Sequence, residues 1–189
     1  RPIVQLTGSA EFNEIFFTDA RTPAAFVVGG VNEGWRVAMG LLAFERGLST
    51  LGQQLAFQRD FDAVIAAAKA NGRSAERDFR QRAAELWSRL QIMRWNTLRT
   101  LGGTDRPELS GAAYISKLFW SHLHQDLGEL FIDTVGAEAM LIDGDPPGLS
   151  HAQRLYLATR AETIYGGTSQ IQRNIIAERA LGLPREPRP

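Results

Sequence analysis

Two places in the chain combine residue types that could do chemistry. The first is Glu45, which a helical period sets against Leu41, Leu42, Leu48 and Ser49 at i−4, i−3, i+3 and i+4. Three leucines around a carboxylate predict a position on or beside an apolar stripe. An acid there is uncommon unless paired or functional. Desolvation would raise its pKa and make it a better general base. A salt-bridged structural glutamate fits the same spacing, although Arg46, the next residue, projects about 100° away. Glycines at 40, 47 and 52 each cost about 1 kcal/mol against alanine in a helix interior, which suggests close approach by something.

The second place is Tyr165-Gly166-Gly167-Thr168-Ser169-Gln170-Ile171-Gln172. Two glycines precede a helix whose cap is Thr168 or Ser169, and Ser169 with Gln172 has capping-box spacing. Free N–H groups at such a turn attract a phosphate or a developing oxyanion. A plain glycine turn before a well-capped helix explains the same residues.

The elements that must position these residues follow from periodicity. Residues 1–31 have strand composition in three short runs, around Ile3-Val4-Leu6, Phe12 to Phe17, and Phe26-Val27-Val28, separated by turn signals. Three such strands cannot close a core and need a larger sheet. The opening Arg1-Pro2-Ile3-Val4 reads as mid-strand, implying a chain cut from a longer protein. From Asn32, a candidate N-cap, the period becomes helical. An apolar series runs from Val37 through Leu55 and Val64 to Ala68 and stops at Asn71-Gly72. A second helix carries Phe79, Ala83, Leu86, Leu90, Met93, Thr97 and Leu101 on one face. A third is expected over about 110–135, with Ile115, Leu118, Phe119, Leu127, Leu130 and Phe131 inward. Shorter helices are expected over about 152–162 and 168–181. The expected fold is mainly α: an antiparallel four-helix-bundle-like domain over 32–189, preceded by the last strands of a truncated β-domain at 1–31.

Composition narrows the function. Twenty-one basic residues balance twenty-one acidic ones, which gives no support for a nucleic-acid or anionic-membrane partner. The chain has no cysteine, so thiolate chemistry is excluded, and no apolar run approaches the roughly 20 residues of a membrane span. His122 and His124, at i,i+2 on a helix, do not converge, so no metal site is expected. The tryptophans read as core or subunit-interface residues.

Two blocks resemble the acyl-CoA dehydrogenase family: Glu11-Phe12-Asn13-Glu14-Ile15-Phe16-Phe17 through Asn32-Glu33-Gly34-Trp35, and Ile164 through Leu183-Pro184. The resemblance covers nearly the whole chain. It implies a helical domain that follows a β-domain, with FAD between them, and an N-terminal half that is not present. The commoner catalytic glutamate of that family lies in a Y-E-G-T motif. This chain has Tyr165-Gly166-Gly167-Thr168. A branch resembling isovaleryl- and long-chain acyl-CoA dehydrogenases instead takes its base from the long helix after the β-domain, where a glutamate precedes an arginine. Phe44-Glu45-Arg46 matches that position, so one carboxylate is lost where another is gained.

By this resemblance Glu45 is the base and the Gly166 N–H polarises the thioester. Arg46 and Gly167 lie at the substrate, and Thr168, Ser169, Gln170 and Ile171 contact FAD. The implied reaction is α,β-dehydrogenation of an acyl-CoA thioester by a cytoplasmic enzyme, with an electron-transfer-flavoprotein-type acceptor and a homo- or hetero-tetrameric assembly. Residues 1–189 alone are expected to be inactive.

Two departures fall on the family's FAD contacts. The R-Q-x-F-G stretch cannot be placed within Asn71 to Arg80. Asp133-Thr134-Val135-Gly136-Ala137 stands where Q-x-x-G-G is usual, and its aspartate would repel a diphosphate. These departures favour the alternative of a non-catalytic or structural subunit in a heteromeric enzyme. A free-standing four-helix interaction module is a third reading, opposed by the orphan strands.

Overall fold

The computed structural model describes residues 1–45, 50–102, 107–142, 144 and 147–185; side chains at 43–45, 50–51 and 107–112 fall outside that description. The chain divides into two compact units, Arg1–Ser49 and Thr50–Pro189.

In the first unit, β1 (Pro2–Ile3) and β2 (Phe12–Asn13) pair antiparallel, with Ile3 opposite Phe12. The expected third strand is instead a 3-10 turn at Ala24–Phe26. Strand composition was present in all three runs, but pairing needs neighbours, and a two-stranded ribbon supplies few. The apolar residues of this unit stay exposed, among them Phe16, Phe17 and Val28. Helix α1 spans Gly34–Glu45. Asn32 does not cap it, because its φ of 67° is left-handed. The Glu33 carboxylate instead accepts from the Gly30 N–H at 3.1 Å and from Arg36. Of the apolar face expected around Glu45, Leu41 and Leu42 are exposed in this chain, and Leu48 and Ser49 lie outside the described residues.

The second unit is a helical bundle of α2 (Thr50–Ala70), α3 (Arg77–Gly102), α4 (Pro107–Val135), α5 (His151–Glu162) and α6 (Ser169–Ile175), with one π-type turn at Ile176–Ala180. Helix α4 is central: α2, α3, α5 and α6 all pack on it. The α3 face is buried as its spacing predicts through Phe79, Ala83, Leu86, Leu90, Met93 and Thr97, while Leu101, expected on the same face, is exposed near the end of the helix. On α2 the buried face is Gln54, Phe57, Phe61, Val64 and Ala68, while Leu55 is exposed. The i+3/i+4 ladder that includes Phe57 and Phe61 buries more aromatic area than a ladder through Leu55, and wins the interior. On α4, Trp120, Leu123, Leu127, Leu130 and Phe131 are buried and Ile115 is exposed. Burying each of the largest, such as Leu90, Leu123 and Leu130, contributes about 2 kcal/mol relative to exposure.

Two terminations position the functional region. Helix α5 begins at a full capping box, in which the Ser150 hydroxyl accepts from the Gln153 N–H and the Gln153 side chain accepts from the Ser150 N–H. Helices α4 and α5 touch closely at Gly128, where an added Cβ would come within 3.2 Å of the Tyr156 Cα. That contact sets α5 flush against α4 and fixes where its C-terminal residue, Glu162, emerges.

Candidate active site

The segment after Glu162 turns through Gly166 and Gly167, with φ of 63° and 97°, and enters α6. Thr168 is the cap, its Oγ1 accepting from the Ile171 N–H at 3.3 Å. The Ser169–Gln172 capping box does not form. Ser169 is buried and its hydroxyl lies 3.2 Å from His122 Nε2, while Gln172 Nε2 donates to the Gly166 carbonyl at 2.9 Å. With Thr168 already capping, the Gln172 amide is better used across the turn.

The turn is held by its carbonyls. Lys117 Nζ, from α4, donates to the Glu162 carbonyl at 2.6 Å and the Gly167 carbonyl at 2.9 Å. The Ser169 N–H donates to the Thr163 carbonyl at 3.2 Å, and Gln172 holds Gly166 O. Among the described residues, the N–H of Gly166 has no acceptor. The carbonyls of Glu162, Thr163, Gly166 and Gly167 are thus engaged while, among the described residues, the Gly166 donor is not, and a fixed free donor of this kind suits an oxygen carrying partial negative charge. Gly167 is sterically fixed: a Cβ there would lie 2.8 Å from Gln172 Nε2. Gly167→Ala should therefore cost about 2–3 kcal/mol, from left-handed strain and the displaced Gln172 bond, read as a lower denaturation midpoint.

Beneath the turn lies a histidine–carboxylate cluster. His124 Nδ1 is 2.9 Å from both Glu162 oxygens, and its Nε2 is 3.3 Å from Asp60 Oδ2. His151 Nε2 reaches the other Asp60 oxygen at 2.8 Å. The His124 ring stacks on Phe57 with centroids 3.7 Å apart. Burial opposes charging of His124, but its hydrogen bonds to Asp60 and Glu162 outweigh burial and raise its pKa above the ordinary 6.5. Burial likewise opposes ionisation of Asp60, and the two histidines outweigh it, lowering its pKa below the ordinary 3.8. Among the described residues no group of side chains could hold a metal ion, so the cluster is a charge network. Sequence reading had set both helix histidines aside. Their partners stand 38 and 64 residues from His124, and no local pattern joins them.

Of the sequence-derived site residues, Gly166, Gly167, Thr168, Ser169, Gln170 and Ile171 form one continuous surface strip and cap. In it Gln170 and Ile171 face outward and Ser169 faces His122. Glu45 is the last residue of α1, in the other unit, and its side chain lies outside the described residues, as does all of Arg46.

The two departures from the family's cofactor pattern meet in space. Asn71 Nδ2 donates to the Thr134 carbonyl at 2.7 Å and Arg73 donates to the Asp133 carbonyl, capping the C-terminus of α4. Arg82 pairs with the Asp133 carboxylate at 2.7 Å. Gly136, with φ of 73°, leaves room for the Arg73 guanidinium.

With this geometry in hand, the comparison with known proteins is specific: the chain belongs to the acyl-CoA dehydrogenase family, the model for "Acyl-CoA dehydrogenase, C-terminal domain" matching residues 32–181. It is 50% identical over 187 residues to the acyl-CoA dehydrogenase IpdE1 of Mycobacterium tuberculosis and 49% identical over 186 residues to IpdE1 of Mycolicibacterium smegmatis, covering 98% of this chain in each case. It covers 48% and 46% of those proteins, so the chain spans about half the length of the curated relatives it matches. Among solved structures it resembles the Tcur3481-Tcur3483 steroid ACAD, with a TM-score of 0.81 and 25% identity over 98% of this chain and 49% of that one. The electron transferring flavoprotein of Acidaminococcus fermentans is similar in fold, with a TM-score of 0.70 and 20% identity over 87% of this chain and 43% of that one. The family implies a flavin cofactor. No helix among the described residues is long and apolar enough to cross a membrane.

Proposed function

We propose that this chain is the C-terminal part of an enzyme that dehydrogenates an acyl-CoA thioester between its α- and β-carbons, using FAD. The observation that carries this reading is the turn at Gly166, whose carbonyls are engaged and whose N–H is not. A thioester oxygen accepting from that N–H gains negative charge as the α-proton leaves, and a fixed donor stabilises it most at that moment. No side chain is needed for this, so glycine can serve where the family's commoner Y-E-G-T motif has glutamate. Glu45 then takes the α-proton, compensating for the carboxylate that position 166 lacks. Arg46 and Gly167 border the substrate. Leu41 and Leu42 are exposed in this chain, so their share in desolvating the base requires further protein surface.

The flavin-ring end of an FAD site fits the residues present: Thr168 keeps a hydroxyl proton to donate, Gln170 is exposed, Ile171 offers apolar surface, and Ser169 supports the strip through His122. A bound flavin would accept the hydride from the β-carbon. The adenosine end fits poorly. Asp133 presents a carboxylate, and the nearby guanidinium groups of Arg73 and Arg82 are committed to α4.

That observation favours one second reading, in which unlike subunits share the flavin site and this chain supplies only part of it. The exposed side of α3 bearing Trp87, Trp95 and Leu98 is a surface such an assembly would cover, as a homo- or hetero-tetramer. A cytoplasmic enzyme passing electrons to an electron-transfer-flavoprotein-type acceptor completes the proposal.

The test is anaerobic mixing of the full-length protein with straight-chain, branched and steroid-side-chain CoA thioesters. Bleaching of the flavin by at least one of them is expected, and bleaching by none overturns the enzymatic reading. Flavin stoichiometry with and without a co-purified unlike subunit separates the two assemblies: flavin retained only in the heteromer supports sharing.

A further inference from the structure

We propose that Lys117 is a positioning residue for the reaction: its ammonium clamps the Gly166–Gly167 turn and holds the Gly166 N–H aimed at the substrate oxygen. The proposal rests on the dehydrogenase reading above. The chain has two lysines among its 21 basic residues, and one of them, Lys117, stands on α4 beside Leu118, Phe119 and Trp120. Its Nζ bonds two main-chain carbonyls, one at the end of α5 and one at the entry to α6, so a single side chain from a third helix ties both ends of the turn. The Trp120 and Tyr165 rings lie 5.8 and 6.0 Å from it, and a Cβ on Gly166 would be 3.7 Å from Lys117 Cε.

Among the described residues, no side-chain carboxylate is bonded to this charge. The nearest acid, Glu162, gives Lys117 its main-chain oxygen and gives its carboxylate to His124. The ammonium therefore places a positive charge beside Gly166, which adds to the pull of the N–H on a developing oxyanion. An ammonium, unlike a planar guanidinium, can donate along directions that are not coplanar, which suits two carbonyls from different elements. Burial, only partly offset by Glu162, lowers the Lys117 pKa below its ordinary value, in keeping with a partly desolvated cation.

The experiment uses full-length, flavin-loaded protein carrying Lys117→Met or Lys117→Arg. It reads amide hydrogen exchange in residues 163–171, together with kcat and KM for the CoA thioester that reduces wild type fastest. For Lys117→Met, exchange in this segment should rise about tenfold with α3 unchanged. Its kcat should fall about 100-fold with KM within about threefold and flavin content intact. Lys117→Arg should recover at least about tenfold of the lost kcat by keeping charge and donors. Wild-type exchange in Lys117→Met, or a loss confined to KM, would overturn the proposal. If Lys117→Met does not fold, Lys117→Gln, which keeps a polar side chain without the charge, carries the test: faster exchange in 163–171 and a reduced kcat support the clamp, and wild-type values in both refute it. Should no thioester reduce the flavin, the enzymatic reading fails, while the exchange measurement still decides whether the clamp exists.

Discussion

Glu45→Gln in the full-length, flavin-loaded protein will reduce exchange of the substrate α-proton with solvent deuterium by about 1,000-fold or more, with flavin content unchanged. Glutamine keeps the size and polarity of the side chain and removes only its capacity to take a proton. Binding of the thioester should persist, because the turn at Gly166 and Gly167 is untouched. The loss should therefore appear in kcat and in kcat/KM alike, the signature of an interaction made only in the transition state. The reason to expect so large an effect is that position 166 is glycine, and the α4 side chain nearest a Cβ built there is the cation Lys117. Exchange at the wild-type rate would remove Glu45 from the mechanism.

The second large effect concerns stability. His124→Leu should lower the unfolding free energy of the helical unit by about 3–5 kcal/mol, because Asp60 and Glu162 then lose the imidazole that bonds both of them. Leucine refills part of the space against Phe57, so packing loss is the smaller part. Wild-type stability should depend on pH with a defined sign. The folded-state pKa of His124 is raised, so its contribution is complete below the ordinary 6.5 and is lost as pH rises through the folded value. The folded-state pKa of Asp60 is lowered, so its contribution is present above the ordinary 3.8 and is lost as pH falls through the folded value. A plateau between these limits with a decline on the alkaline side is expected in urea denaturation, and His124→Leu should abolish the alkaline decline. An unchanged pH profile in the variant would show that His124 does not carry it.

What could be read beforehand divides along physical lines. The α3 face was legible because its heptad-like stripe is local and the helix packs on one side only: Phe79 to Thr97 are buried in the predicted order. On α2 the same reasoning chose Leu55 over Phe57, since periodicity does not say which of two adjacent apolar ladders meets the neighbouring helix. Of the strands expected at 1–31, two pair over two residues each and the third is a 3-10 turn, because hydrogen-bonded pairing depends on partners elsewhere. At the site, the Gly166–Gly167 turn was legible from two consecutive glycines before a capped helix. Its clamp was not. Lys117 lies 45 residues from Glu162 and 50 from Gly167, and the ion network joins α2, α4 and α5. The missing R-Q-x-F-G and Q-x-x-G-G elements were legible as departures. That Arg73, Arg82, Asn71 and Asp133 instead tie the α2–α3 turn to the end of α4 required coordinates.

The central claim, that the carboxylate at 45 does the work a glycine at 166 cannot, is tested most directly by moving the acid back. Gly166→Glu in the Glu45→Gln background places a side chain where an added Cβ meets nothing closer than Lys117 Cε at 3.7 Å, at a left-handed strain of about 1–2 kcal/mol. Measured as α-proton exchange of the best CoA thioester by full-length, flavin-loaded protein, the double variant should regain at least about tenfold over Glu45→Gln alone. A double variant that folds, keeps its flavin and exchanges no faster than the single one would contradict the account.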